Sequence, residues 1–267
     1  IDDYSVSTRV GRGKYSNVFR GKRKNGSLCV VKVLKPVRIS KINREIAILE
    51  HLRGGPNISQ LFDVVLDNDS KSIALILDWS ENVNIRTIFD RLTIDNIAIY
   101  TYKVLKALEF AHAKGIMHRD IKPGNIMYSP DTNELKVIDW GLAEFYRPNT
   151  NYQVRVATKN YKGPELLLNY PQYDYSLDIW CLGCTFASLL FQKTPFFKGG
   201  DNTDDQVAKL GQILGGDKIL AYANKYHLEL SDKLRVELSK YRKKSFADFR
   251  STYERKRNIE LPSEALD

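Results

Sequence analysis

The residues with the clearest chemical meaning form one run, His118-Arg119-Asp120-Ile121-Lys122-Pro123-Gly124-Asn125. Fourteen positions after Asn125 comes Asp139-Trp140-Gly141, and later Gly163-Pro164-Glu165. A carboxylate, an ammonium, an amide and a second carboxylate at these intervals are the parts that phosphoryl transfer requires. Asp120 can accept the proton of an attacking hydroxyl. Asn125 and Asp139 can hold magnesium (Mg2+) between phosphate oxygens, and Lys122 can neutralise charge on the group in flight. Coincidence would have to account for several independent signatures arriving in the right order.

Two earlier segments suit the same chemistry. Gly11-Arg12-Gly13-Lys14-Tyr15-Ser16-Asn17-Val18 lies between two predicted strands, so it is a hairpin that can lie over phosphates rather than a strand-to-helix dinucleotide turn. Taken alone, the pattern is better explained as a plain tight hairpin. Fourteen residues after Val18, the strand Cys29-Val30-Val31-Lys32 carries a lysine among valines. A buried lysine requires an anion, and Glu45 or the phosphates under the hairpin would serve; by itself the residue also fits an edge lysine whose stem lies along the sheet.

The elements that must position these groups follow from periodicity. Alternation predicts strands at Val6 to Val10, Val18 to Lys22, Ser27 to Leu34, Gln60 to Leu66 and Ser72 to Asp78, with Asn25-Gly26 as a turn. Ile42, Ile46 and Leu49 predict one helix over Ser40 to Leu52, stopped by Gly54-Gly55-Pro56. After Trp79-Ser80-Glu81-Asn82 the pattern turns helical. Ile94 to Lys114 is amphipathic and ends at Gly115, and Asp174 to Phe191 is apolar almost all round, as a central buried helix would be. The expected fold is α+β and bilobal: a small antiparallel β-sheet lobe with one helix (1–79) before a larger, mainly α-helical lobe (80–267).

The chain has 267 residues and 43% hydrophobic content, which excludes disorder, collagen and a small disulfide scaffold. Its net charge of +9 is unevenly spread: twelve basic and no acidic residues lie between Arg9 and Arg44, and eight basic against two acidic between Lys240 and Arg257. Such patches suit phosphate-bearing or acidic partners, or are plain solvated surface. Three cysteines are few for a secreted domain, so a reducing, intracellular setting is expected; Cys181-Leu-Gly-Cys184 has redox spacing, but within an apolar run it reads as two core thiols. The longest uncharged apolar stretch, Ile179 to Gln192, is too short to span a bilayer, so no membrane partner is expected. His51, His112 and His227 show no metal spacing, and the aromatic residues lack the basic-aromatic rows of a nucleic-acid platform.

The chain resembles the eukaryotic protein kinases and, in detail, the casein kinase II catalytic alpha subunits. The residues that carry the resemblance are Gly11-Arg12-Gly13-Lys14-Tyr15-Ser16, Val31-Lys32-Val33-Leu34-Lys35-Pro36, Leu52-Arg53-Gly54-Gly55-Pro56-Asn57-Ile58, Gly115-Ile116-Met117-His118-Arg119-Asp120, Asp139-Trp140-Gly141-Leu142-Ala143-Glu144-Phe145-Tyr146 and Lys162-Gly163-Pro164-Glu165-Leu166-Leu167. Trp140 stands where most kinases carry Phe and that family carries Trp. The resemblance implies ATP, with GTP beside it, as phosphoryl donor and Mg2+ as cofactor. It implies that Lys32 pairs with Glu45 and the phosphates, that Asp120 is the general base, and that Asn125 and Asp139 are metal ligands. Val10 and the hairpin Gly11, Arg12, Gly13, Lys14, Tyr15, Ser16, Asn17 and Val18 would cover the nucleotide. Val18, Val30, Met127 and Ile138 would sandwich the purine, and Asp78, Trp79 and Ser80 would offer backbone groups to the base edge.

Lys122 followed by Pro123 resembles Ser/Thr rather than tyrosine kinases, and on charge grounds Arg155, Lys159 and Lys162 suit acidic residues just after the phosphoacceptor. The expected substrates are therefore acidic proteins. Activity without phosphorylation of the segment holding Thr150 and Thr158 is implied, as is a regulatory beta subunit, in a tetramer of two catalytic and two regulatory chains, docked on the small lobe near Val6, Phe19 and Val31. Cytoplasm and nucleus are the implied compartments.

Departures from the family are visible. Where it has a run of lysines, this chain has only Arg38, Lys41 and Arg44, which leaves open the preference for more distant acidic residues through Lys41. Gly124 replaces His and Leu77 replaces Phe. The chain stops at Ser263-Glu264-Ala265-Leu266-Asp267 where a further helix is implied, so a piece of a longer kinase lobe is expected. Two rivals remain: a kinase-like scaffold without catalysis, and a nucleic-acid binder driven by Arg9 to Arg44, several of whose charges nucleotide and acidic peptide already explain.

Overall fold

The computed structural model describes residues 3–67, 71–81 and 83–249. Strands β1 (Tyr4–Arg12), β2 (Ser16–Arg23) and β3 (Leu28–Leu34) come first, then helix α1 (Ile39–His51), then β4 (Leu61–Leu66) and β5 (Ile73–Asp78). The five strands form one antiparallel sheet in the order β1-β2-β3-β5-β4. Local chemistry sets the turns. Gly26 takes φ +82° and donates its N–H to Arg23 O, while the Asn25 side chain accepts from the Ser27 N–H and hydroxyl. The buried stripe of α1 is Ile42, Glu45, Ile48 and Leu49, so a carboxylate occupies a core position of the helix.

The remainder is mainly helical, with short pairings at β6 (Val83–Asn84), β7 (Ile116–Met117), β8 (Ile126–Tyr128), β9 (Leu135–Val137) and β10 (Glu144–Phe145). Helices α2 (Ile85–Ile88) and α3 (Ile94–Ala113) come early, then α4 (Pro164–Leu167), α5 (Ser176–Leu190), α6 (Thr203–Leu214), α7 (Gly216–Lys225) and α8 (Asp232–Ser239). A reciprocal Thr93/Asn96 capping box starts α3, which buries Ile97, Tyr100, Val104, Ala107, Leu108 and Ala111. It packs against α5, the helix expected to be apolar all round. That expectation needs correcting in two respects: Ile179 is exposed, and Asp178 is fully buried.

One continuous core runs from Leu34, Ile48 and Leu75 under the sheet to Leu108, Leu177 and Leu189. Cys29, Val31 and Ile76 form a second, small cluster on the other face of the sheet, covered by Tyr4 and Phe19. Val31, expected as a partner contact, is thus buried beneath Phe19. All three cysteines are buried and free, and burial pushes the Cys181 and Cys184 thiols up, as core thiols rather than a redox pair. Among the described residues no helix is long and apolar enough to cross a membrane. The basic cluster at 240–257 and the chain end at 263–267 lie partly and wholly outside the described residues.

Candidate active site

Lys32 sits mid-strand in β3, between Val18 of β2 and Leu75 of β5, so its side chain is fixed by two ladders. Its ammonium lies 2.7 Å from Glu45 Oε1 and 2.7 Å from Asp139 Oδ1. Lys32 and Glu45 are both buried. Burial works against the Lys32 charge, but Asp139 and Glu45 more than offset it and raise the ammonium above its ordinary value. Burial likewise disfavours the Asp139 carboxylate, and Lys32 reverses this, leaving the group below its usual range. Asp139 itself holds a left-handed backbone at φ 60°, and Arg119 does the same at φ 65°. Non-glycine residues persist there only when surrounding contacts over-determine them.

Those contacts are dense. Asp120 Oδ2 accepts from the Lys122 ammonium at 2.6 Å and from Asn125 Nδ2 at 3.0 Å, while its Oδ1 accepts from the Thr158 hydroxyl at 2.8 Å. Lys122 also donates to Thr158 Oγ1 at 2.7 Å. Beneath this group, buried Asp178 accepts the backbone N–H of His118 at 2.8 Å and of Arg119 at 2.7 Å, and His112 Nε2 lies 2.9 Å from it. Trp140 is 1% exposed, donates from its indole to Val137 O, and meets the His118 ring edge-on at 4.6 Å. An indole here both fills the core and satisfies a carbonyl.

Glu144 joins three segments: it pairs with Arg44 of α1 and lies 3.5 Å from the Arg119 guanidinium, which also donates to Leu142 O and Tyr173 Oη. The helix bearing Glu45 is thereby tied to the segment bearing Asp120.

Two adjoining cavities open on these groups. One of about 490 Å³ is lined by Val10, Gly11, Gly13, Ser16, Val18, Val30, Lys32, Asp78, Trp79, Ser80, Asn125, Met127, Ile138 and Asp139, all expected from sequence, by Leu77 and Gly124 at two departures from the family, and by Ser59, Glu81, Asn84 and Lys136, which were not expected there. Apolar faces from both lobes therefore meet in one slot, with Lys32, Asn125 and Asp139 among its polar lining. The second, about 320 Å³, is lined by Lys14, Tyr15, Lys41, Glu45, Asp120 and Lys122 among others. Arg12 and Asn17 instead face each other in the ladder of β1 and β2, outside both linings.

A family profile described as protein kinase domain matches residues 4–252. The chain belongs to the protein kinase family. It is 48% identical over 250 residues to casein kinase II subunit alpha' of Saccharomyces cerevisiae, an alignment that covers 93% of this chain and 74% of that protein. It is a Ser/Thr protein kinase of the casein kinase II alpha type, and its domain implies ATP and a divalent metal.

The groups of this kinase that fit such a metal are Asn125 and Asp139. Both Nδ2 hydrogen bonds of Asn125 go to Asp120, to its backbone and carboxylate oxygens, which turns the amide oxygen the other way. Asp139 has one oxygen on Lys32 and a side chain about half exposed, at 52%, toward the cavity. Oxygen donors of this kind suit Mg2+, and with no cluster of three or more His, Cys, Asp or Glu among the described residues, phosphate and water would complete its shell.

Arg155, Lys159 and Lys162 lie along the segment around and after Thr158. Burial, then the charge of Arg155, draws the Lys162 ammonium below its ordinary value. Lys159 pairs with Asp201 at 3.5 Å. Lys41 lies 5.6 Å from the Tyr15 ring centroid, with Lys14 on the same ring at 5.2 Å. Sequence reasoning missed Asp178, whose signal was a carboxylate inside an apolar helix. It considered Thr158 only as a phosphosite, and its hydroxyl is engaged by Asp120 and Lys122. Arg44 was read only as one of the basic charges remaining before Glu45, and Glu144 only as part of the motif that carries the resemblance.

Proposed function

We propose that this kinase transfers the γ-phosphoryl group of ATP, or of GTP, to Ser or Thr followed by acidic residues. The observation that carries this reading is the paired arrangement of Lys32 with Glu45 and Asp139 beside Asp120 with Lys122, bordering a slot with apolar faces from both lobes. The β-rich lobe covers the nucleotide from one side, and the helical lobe supplies its other side, the catalytic groups and the substrate surface. The purine lies between Val18 and Val30 on one side and Met127 and Ile138 on the other, against the backbone of Asp78 to Ser80. Lys32, oriented by Glu45, neutralises phosphate charge, and Asn125 and Asp139 hold the metal. A bound Mg2+ supplies electrostatic stabilisation of phosphate oxygens. Asp120, oriented by Asn125 and Thr158, takes the proton of the incoming hydroxyl, and Lys122 offsets negative charge beside it.

Acidic preference is supported by Arg155 and Lys162, two neighbouring cations with no ion pair among the described residues, where a substrate carboxylate would relieve repulsion. Activity without prior phosphorylation is supported by Glu144, whose carboxylate already joins Arg44 to Arg119 in the manner of an added phosphate. A beta subunit is suggested by the yeast relative's name as a subunit, and exposed Val6 and half-buried Phe19 on the outer sheet face are suitable contacts. Three free buried thiols suit the reducing cytoplasm and nucleus.

The test is transfer from labelled ATP with magnesium to two serine peptides, one followed by Asp and Glu and one by Arg and Lys, before and after phosphatase treatment of the enzyme. Transfer confined to the acidic peptide, unaffected by phosphatase and competed by GTP, is expected. Asp120→Asn should slow transfer by roughly 10²-fold to 10⁴-fold. Nucleotide binding without transfer, or an unchanged Asp120→Asn rate, overturns the assignment.

A further inference from the structure

Of the cations Arg155, Lys159 and Lys162, Lys159 alone has an ion pair among the described residues, and its partner comes from the chain itself: Asp201 Oδ1 at 3.5 Å. Thr158, the residue immediately before Lys159, hydrogen-bonds Asp120 at 2.8 Å, so this pair stands one residue from a partner of the candidate base. Asp201 does not sit on a loose tip. Gln206, 1% exposed, accepts the Gly199 N–H at 3.0 Å and donates to Phe197 O at 2.8 Å, bracing the loop from inside. Asn202 then caps α6 by accepting the Asp205 N–H at 2.8 Å. A Cβ at Gly200 would lie 2.2 Å from the Asp205 carboxylate, so that acid is folded over its own loop, and Asp204 Oδ2 faces the Ser231 hydroxyl at 3.4 Å. Of these three acids, Asp201 is the one paired with a cation of the substrate-facing segment.

We infer that Asp201 is a specificity-determining residue that competes from within for Lys159, so that an acidic side chain just after the phosphoacceptor must displace Asp201 before Lys159 can read it. This rests on the proposal that Arg155, Lys159 and Lys162 receive acidic residues. Asp201 is fully exposed and Lys159 is 44% exposed, so the pair is of the weak surface kind and can exchange partners. Arg155 and Lys162 give the basal acidic preference, and the Lys159–Asp201 pair damps it.

The experiment compares the wild type with Asp201→Asn on a serine peptide followed by acidic residues and on its neutral counterpart, at low and high salt, and repeats this in a Lys159→Met background. Asp201→Asn should lower KM for the acidic peptide by roughly twofold to fivefold, the range open to an exposed ion pair, with kcat and the neutral peptide unchanged. High salt and Lys159→Met should each abolish the gain. A wild type that prefers acidic peptide while Asp201→Asn leaves its KM unchanged overturns the role of Asp201 alone. So does an equal shift for both peptides, or a gain that survives in the Lys159→Met background. A wild type with no acidic preference overturns the substrate reading, and the role of Asp201 with it.

Discussion

Asp178→Asn replaces one oxygen by an amide and leaves the side-chain volume almost unchanged, which makes it a sharp probe of how the site is held. The carboxylate is fully buried and accepts from three donors: Arg119 N–H on Oδ1, and His118 N–H and His112 Nε2 on Oδ2. Asparagine has one acceptor oxygen. Placed toward His118 and His112, it turns its NH2 against the Arg119 N–H; placed the other way, it turns it against the other two donors. At least one charge-assisted bond is lost and one buried donor is stranded, for a cost of about 2–4 kcal/mol. In a domain of this size that lowers the melting temperature by roughly 4–8 °C.

Arg119 holds φ 65° partly through this contact, and Asp120 is its neighbour, so kcat should fall by roughly tenfold or more as the base loses alignment. Calorimetry and peptide phosphorylation on the same preparation measure both quantities, with circular dichroism to confirm folding. A variant that melts within about 1 °C of wild type and turns over within about twofold would refute the claim that Asp178 sets the geometry of this segment.

Thr158→Val removes the hydroxyl that bridges Asp120 and Lys122 without changing shape, and should cut kcat by roughly 10-fold to 100-fold, with Thr158→Ser close to wild type. Equal kcat for wild type and Thr158→Val would dismiss that bridge. Burial raises the Glu165 carboxyl to about 6 from 4.5, so the folded state keeps a proton that the unfolded chain releases between those values. Stability should fall by about 2 kcal/mol as pH rises from 4.5 through 6 and then level off, and Glu165→Gln should flatten that slope in melts taken at pH 5 and 7. Asp139, lowered rather than raised, acts in the opposite sense: its contribution is present at neutral pH and is lost only in acid below its ordinary value of 3.8.

Much of the kinase was readable from residue order. The strands of the small lobe, the helix bearing Glu45 and the long helices near Ile94 and Ser176 follow local periodicity, and their observed ends differ from the expected ones by two residues or fewer, the widest gaps including Val10 against Arg12 and Asp174 against Ser176. Lys32, Asp120, Asn125 and Asp139 could be singled out because the chemistry proposed for them is carried by short runs whose spacing is set by a single turn or strand. Even the Lys32 alternatives were well posed. A buried lysine among valines needs an anion, and only the fold shows that Glu45 and Asp139 both supply one.

What the tertiary structure alone decided is the set of side chains that hold those groups in place. Thr158 meets Asp120 across 38 residues, Asp178 meets His118 across 60, and Arg44 meets Glu144 across 100. The unpaired state of Arg155 and Lys162 among the described residues, against Lys159 held by Asp201, likewise depends on where one loop passes another. Periodicity reports which face of an element is buried, and a motif reports which chemistry a short run can perform. Neither contains the direction of approach of distant segments, and a hydrogen bond or ion pair depends on that direction to within a few tenths of an ångström.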